Sequence, residues 1–323
     1  MSCPDLRICL APMRGLTGYV YRNCYATHFE GVDWAVTPFL TTFQGSHIKP
    51  SRLLEVLPEN NRRIPVAPQI LSKNADKFIA LARLLHELGY EHVNWNLGCP
   101  FARVAKKGRG SGLLPHPDLV AQFLDAVVAA IPNQLSIKAR LGRYHPDEMD
   151  ALLPILNNYP LQSLIIHPRT GVQMYTGTPD LDRFEKSLSQ LRCKVIYNGD
   201  INTLDDFRKL QQRFAQIDTW MIGRGIVANP FLPTAIKKSL PDGPQRIQIF
   251  REFHDDLFEC YAKVRHGPAH LVDSMKGYWS YFAQSFPNGQ QVLKKIRKTK
   301  QIDHYRSIVS VFLDSEDGEQ SFI

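Results

Sequence analysis

The sequence predicts an α/β fold, a (β/α)8 TIM barrel followed by a small C-terminal helical bundle domain, on three observations. Eight short apolar, β-rich runs recur through residues 1–240, close to the roughly 30-residue period of a strand–helix–strand unit. Amphipathic stretches lie between several of them. Beyond Pro244 the pattern becomes helical only. A barrel of this kind takes about 250 residues, which the eight runs match. An open doubly wound sheet, the alternative, should carry Gly-x-Gly-x-x-Gly after its first strand, and none is present.

In order, the runs are LRICLAPM (6–13), DWAVTPFL (33–40), IPVAPQIL (64–71), HVNWNLG (92–98), LSIKARLG (135–142), QSLIIHP (162–168), KVIYNG (194–199) and TWMIGRG (219–225). ADKFIALARLLHELG (75–89) and DLVAQFLDAVVAAI (118–131) are rich in Ala and Leu, which favour helix. Gly89 suits the left-handed position that closes a helix. Further on, IQIFREFHDDLFECYAKV sets Ile249, Phe250, Phe253, Leu257, Cys260 and Tyr261 at three- and four-residue steps, an apolar stripe. HLVDSMKGYWSYFAQSF and GQQVLKKIRKTKQIDHYRSIVSVFL follow, parted by turns at Gly267-Pro268 and Pro287-Asn288-Gly289. The expected division is 1–240 for the barrel and 241–323 for three or four helices.

Hydrophobic residues make up 44% and charged residues 22%, ordinary globular composition. No apolar run reaches the ~18 residues of a membrane span. The start MSCPDLRICLAPM lacks the features of a signal peptide. A cytoplasmic protein without membrane contact is expected, a monomer by default. Cys3, Cys9, Cys24, Cys99, Cys193 and Cys260 lie far apart with no Cys-x-x-Cys pair, against a disulfide framework or a metal site. The net charge is +8, all of it from residues 1–240, although KKIRKTK (294–300) is strongly basic and the tail DSEDGE is acidic. Such an excess suits polyanions, chiefly nucleic acid.

The working residues of a barrel gather where its strands end. Those ends read Ala11-Pro12-Met13, Gln69, Asn96 with Cys99, Lys138 with Arg140, His167 with Arg169, Asn198-Gly199-Asp200 and Gly223-Arg224-Gly225. A lysine inside a strand, as in SIKAR, must be paired or neutralised. The last two loops offer backbone N–H groups and a cation, and these are the loops that commonly hold phosphate in this fold. A phosphorylated ligand is expected, with Gln69, Asn96, Lys138 and His167 around its other end. Amide, cation and imidazole together suit a flat heterocycle such as a flavin.

Taken together, APM (11–13), Gln69, NWNLGCP (94–100), GRGSGLL (108–114), KARLG (138–142), HPRT (167–170), NGDI (198–201), MIGRG (221–225) and MKGYWSYF (275–282) resemble the tRNA-dihydrouridine synthases along the whole chain. The resemblance implies an FMN-binding barrel, a helical tRNA-recognition domain, and NADPH-dependent reduction of particular tRNA uridines to 5,6-dihydrouridine. It implies that Pro12, Met13 and Gln69 contact the flavin ring and that Lys138 lies near its pyrimidine edge. His167 would bridge ring and phosphate, with Asn198, Gly199, Asp200, Gly223 and Arg224 at the phosphate end. Asn96 would bond the target uracil, with Tyr175 stacking or bonding nearby. Hydride would pass from reduced flavin to uracil C6, and Cys99 would give a proton to C5. A thiol with its ordinary pKa near ~8.5 is mostly protonated at pH 7, as that role requires.

Arg103, Lys106, Lys107 and Arg109 then face RNA phosphates, with glycines beside them allowing close backbone approach. Arg140, Lys276 of the helical motif and the 294–300 segment are further candidates for tRNA contact. Phe101, Pro168 and Trp95 depart from the family's usual small or aliphatic residues. Other readings are a barrel reducing a free pyrimidine, which needs no basic loop, a tRNA-binding protein whose flavin chemistry has lapsed, and a colourless phosphate-binding barrel.

Overall fold

The computed structural model describes residues 6–42 and 50–315. Cys3 and residues 316–319 of the acidic tail lie outside the described residues. The eight expected runs form as ten segments: β1 Arg7–Leu10, β2 Trp34–Val36, β3 Leu40–Thr41, β4 Val66–Ala67, β5 Gln69–Leu71, β6 His92–Leu97, β7 Gln134–Gly142, β8 Ser163–Thr170, β9 Lys194–Asn198 and β10 Thr219–Ile222. The second and third runs are each cut in two. Pro38 lies in one gap and Pro68 in the other, and proline has no N–H to give to a ladder. β2 with β3 therefore makes one barrel strand, and β4 with β5 makes the next.

All pairings are parallel, as βα units require. β1 lies between β10 and β2, β2 pairs β4, β3 pairs β5, and the order continues through β6, β7, β8, β9 and back to β10. The ring is closed. The eighth run stops earlier than expected, at Ile222. Gly223 leaves strand geometry (φ −117°, ψ −86°) and opens a short helix, Arg224–Ala228.

Period-two alternation sorts side chains between two layers. Val93, Trp95, Leu97, Ile137, Ala139, Leu141, Leu164 and Ile166 belong to the large core under the helices, whereas Cys9, Ala11, Val36, Ala67, Ile165, Ile196 and Met221 fill the barrel interior. Trp95 stacks on Phe123 with ring centres 3.9 Å apart, and its Nε1 donates to Ser72 O at 3.0 Å. Its departure from an aliphatic thus belongs to the packing of helices Ala75–Glu87 and Pro117–Val128, away from the barrel interior. Gly89 has φ +92°, and Tyr90 N–H closes on Leu85 O at 2.9 Å, ending the first of those helices as expected. Between β3 and β4 the described residues hold only 3-10 turns, at Pro50–Arg52 and Pro58–Asn60.

Among the described residues, four helices follow the barrel: Gly243–Val264, Pro268–Phe282, Gly289–Lys298 and Ile302–Leu313. The first two dock on the barrel helix Tyr19–His28. Tyr21 stacks on Tyr278 at 5.5 Å, Phe29 meets Phe253 edge-on at 4.9 Å, and Cys24 Sγ donates to Phe253 O. Tyr278 Oη donates to Leu16 O, just past the end of β1. This docking carries Tyr281 to the mouth of the barrel.

Candidate active site

A cleft opens at the C-terminal end of the strands. It brings together Pro12, Met13, Gln69, Asn96, Cys99, Lys138, Arg140, His167, Tyr175, Asn198, Gly199, Gly223 and Arg224. Asp200, Arg109 and Lys276 are outside its lining. Arg14, Phe39 and Tyr281 line it and were not expected from the sequence. Tyr281 comes from the helical segment and had a signal only in MKGYWSYF. Among the described residues that line the cleft are four cations, Arg14, Lys138, Arg140 and Arg224, and no carboxylate, so the cleft suits an anion.

One side of the cleft is a row of amides with one possible arrangement. The backbone N–H groups of Gly98 and Cys99 both donate to Asn96 Oδ1, at 3.1 and 2.9 Å. Asn96 must then donate through Nδ2, and it does so to Gln69 Oε1 at 2.7 Å. Gln69 Nε2 in turn donates to Asn94 Oδ1 at 2.8 Å, and Asn94 Nδ2 to Ser136 Oγ at 2.7 Å. Amide orientation is here fixed by the peptide groups at one end. Asn96 therefore holds the thiol loop in place and keeps one N–H for a ligand.

Cys99 is 6% exposed. Burial pushes its thiol above the ordinary value, against the Phe101 backbone hydrogen bond and the charges of Arg140, Arg14 and Arg103. The loop after it folds back underneath: Ser111 N and Oγ both donate to Cys99 O, at 3.1 and 3.0 Å. A Cβ at Gly110, where φ is +57°, would lie 2.8 Å from Cys99 Cβ. This glycine permits the loop's close approach to Cys99 itself. Arg103, Lys106 and Lys107 are exposed, while Arg109 is half-buried.

Lys138 Nζ donates to Asn198 Oδ1 at 2.6 Å, and Asn198 Nδ2 to Met221 O at 2.9 Å. The expectation of a paired or neutralised lysine is met by an amide rather than a carboxylate. Burial, then the charge of Arg140, lowers the ammonium to about 7. His167 is held well below its usual range by burial and by four surrounding cations, so it is neutral. Arg169 Nη1, which can only donate, lies 3.3 Å from His167 Nε2, which leaves the ring's N–H on Nδ1.

Asp200 bonds Arg169 through both oxygens, at 2.8 and 2.6 Å, and Arg224 at 2.5 Å. Burial pushes its carboxyl up, but the two arginines outweigh it and hold the group below its usual range. Its part is to orient Arg224 at the cleft. Arg140 donates to Thr170 O and Met174 O at 2.8 and 2.6 Å, which pins the loop carrying Tyr175. The Tyr175 ring lies beneath both Arg140 and Arg224, at 5.3 and 4.9 Å. Lys276 pairs with Asp273 on its own helix. Among the described residues no cluster of His, Cys, Asp or Glu could hold a metal, and no helix is long and apolar enough to cross a membrane.

Fold and site together define an enzyme of the (β/α)8-barrel class whose cleft is lined by four basic side chains and no carboxylate beside a buried thiol. The sequence model of the family described as "Dihydrouridine synthase (Dus)" matches residues 9–310, and the chain belongs to that family. It is 33% identical over 229 residues to tRNA-dihydrouridine synthase B of Pasteurella multocida, covering 70% of this chain and 67% of that one. It is 26% identical over 304 residues to tRNA-dihydrouridine(16) synthase of Pseudomonas putida, covering 91% and 93%. Among solved structures, the old yellow enzyme from Trypanosoma cruzi superimposes with a TM-score of 0.53 at 10% identity, over 73% of this chain and 89% of that one. Morphinone reductase gives 0.51 at 12%, over 74% and 88%. At that identity the likeness is one of fold.

Proposed function

We propose that this protein reduces particular uridines of tRNA to 5,6-dihydrouridine with FMN as cofactor and NADPH as reductant, as a cytoplasmic monomer. Residues 1–240 would hold the cofactor, and residues 241–323 would orient the tRNA. The observation that carries the reading is the pairing of an acid-free, four-cation cleft with a buried, protonated thiol.

The residues present fit FMN. A Cβ at Gly223 would lie 3.1 Å from Ala11 Cβ and 3.2 Å from Met13 Sδ, so a side chain there would crowd the floor of the cleft. Asn198, Gly199, Gly223 and Arg224 would hold the phosphate end, with Asp200 orienting Arg224. Pro12, Met13, Gln69, Lys138 and His167 would hold the ring. When bound, the cofactor supplies hydride to uracil C6.

The chain's own groups do the rest. Lys138 regains a full charge beside an anion and fixes it in place. Neutral His167 donates from Nδ1. Asn96 offers its free N–H to the uracil. Cys99 releases its proton at C5. Burial keeps the thiol protonated at rest, while Arg140, Arg14 and Arg103 ease the charge left on sulfur. The test is to incubate the protein with NADPH and tRNA lacking dihydrouridine, then map by mass spectrometry the uridines that gain two hydrogens. A yellow, NADPH-oxidising protein that leaves tRNA unchanged would favour a free pyrimidine as substrate.

A further inference from the structure

Eight large hydrophobic side chains are exposed among the described residues, and four of them, Phe101, Tyr144, Val172 and Tyr175, sit on the three consecutive loops after β6, β7 and β8. These loops are tied together. Arg143 Nη1 donates to Pro100 O at 2.8 Å, and Val172 N–H donates to Arg143 O at 3.0 Å. The same guanidinium lies 5.6 Å from the centre of the Tyr144 ring. Phe101, 45% exposed, stands at the edge of the cleft, and Tyr144, 58% exposed, lies outside it. The patch thus runs outward from the cleft as aromatic, guanidinium, aromatic.

Its flank is cationic: residues 98–117 contain no acidic side chain, and Arg103, Lys106 and Lys107 are exposed there. Protein interfaces deplete lysine, whereas single-stranded nucleic acid is held by aromatic faces beside a basic track. A uridine drawn into the cleft leaves its neighbours unstacked, and an exposed ring next to the thiol loop can restack one of them.

Building on the proposed tRNA substrate, we propose that Phe101 and Tyr144, with Arg143 between them, form a stacking platform for an unpaired base next to the uridine that enters the cleft. The test compares wild type with F101A, F101L, F101Y and Y144A by equilibrium binding of unmodified tRNA, with flavin absorbance reporting that each variant is folded. Expected are about tenfold weaker binding for F101A, the worth of one base–aromatic stack, and a similar loss for Y144A. F101L should bind no better than F101A, and F101Y should match wild type.

Wild-type affinity in F101A and Y144A would overturn the platform. So would wild-type affinity in F101L, which would reduce Phe101 to an apolar wall. Self-association of the wild type that F101A abolishes would assign the patch to a second copy and also overturn it. Because binding is read apart from turnover, a wild type that binds tRNA but never reduces it, with variants that lose affinity in the expected pattern, would sink the activity and sustain the platform.

Discussion

The two ends of the one barrel treat lysine in opposite ways. At the N-terminal end Lys194 lies at the rim of a second cavity and pairs with Asp218 at 2.8 Å. At the C-terminal end Lys138 points into the cleft and has an amide, Asn198, as its partner. One charge is cancelled by a carboxylate at the surface, whereas the other has no carboxylate beside it. The same contrast holds for arginine: Asp200 steadies Arg224 but stands behind the cleft lining, so the carboxylate that orients the cation leaves the entrance free of acid.

The largest break of this comparison should come from Cys99, the proposed proton donor at the C-terminal end. Cys99→Ala should keep the flavin and lose about 10²- to 10⁴-fold in tRNA reduction, the usual worth of a general acid. Reduction at the wild-type rate would remove Cys99 from that role. Next in size, Lys138→Ala should weaken flavin binding by about 10- to 100-fold, the value of one charge-assisted hydrogen bond, and change tRNA affinity less. A flavin titration of the apoprotein beside a tRNA titration decides it, and the reverse pattern would move Lys138 out of the cofactor's surroundings.

The lysine contrast also predicts a pH dependence. With Lys138 near 7 in the free protein, an anionic ligand raises that value. Below about pH 7 the ammonium is charged before and after binding, so no proton moves. Above it the free protein is largely neutral at this site, so flavin binding takes up a proton and affinity falls as pH rises towards 9. Calorimetry in buffers of different ionisation enthalpy measures the uptake, and a pH-independent affinity would contradict it. A smaller effect is expected from Asn94→Leu, which strands Gln69 Nε2 while Ser136 Oγ keeps His92 Nε2 at 2.7 Å, and should cost about 1–3 kcal/mol in urea unfolding, with slower turnover. The smallest belongs to the other end: Lys194→Ala should change stability by no more than about 0.5 kcal/mol and leave flavin binding untouched.

The barrel was legible because each strand repeats the same statement, an apolar run ending in polar groups about every 30 residues. Local periodicity needs no partner to be read. Where the reading of the strands slipped, the cause was local and lay within the runs themselves. Pro38 and Pro68 split strands that a hydrophobic run alone shows as continuous, and Ile222 ends its strand because Gly223 turns into a helix. Most cleft residues sit at strand ends and were found there. Tyr281 reaches the cleft through the docking of Tyr278 on Leu16, a contact between residues 262 positions apart that no local pattern announces. The hydrogen-bond partners that Asp200 and Asn96 take within the fold were hidden for the same reason. A side chain's type tells what it can bond, and only the fold tells which of its bonds are already taken.

The amide row beneath the thiol loop has a consequence of its own. Four side chains on three barrel strands, with two peptide N–H groups at their head, make a line of dipoles that has only two coherent settings, all forward or all reversed. The reversed setting would aim an Asn96 N–H at two other N–H groups and is excluded. No single amide can turn without its neighbours. The height of the sulfur above the barrel is therefore set by strand register through the loop that bears it, and the proton it carries starts from a fixed address.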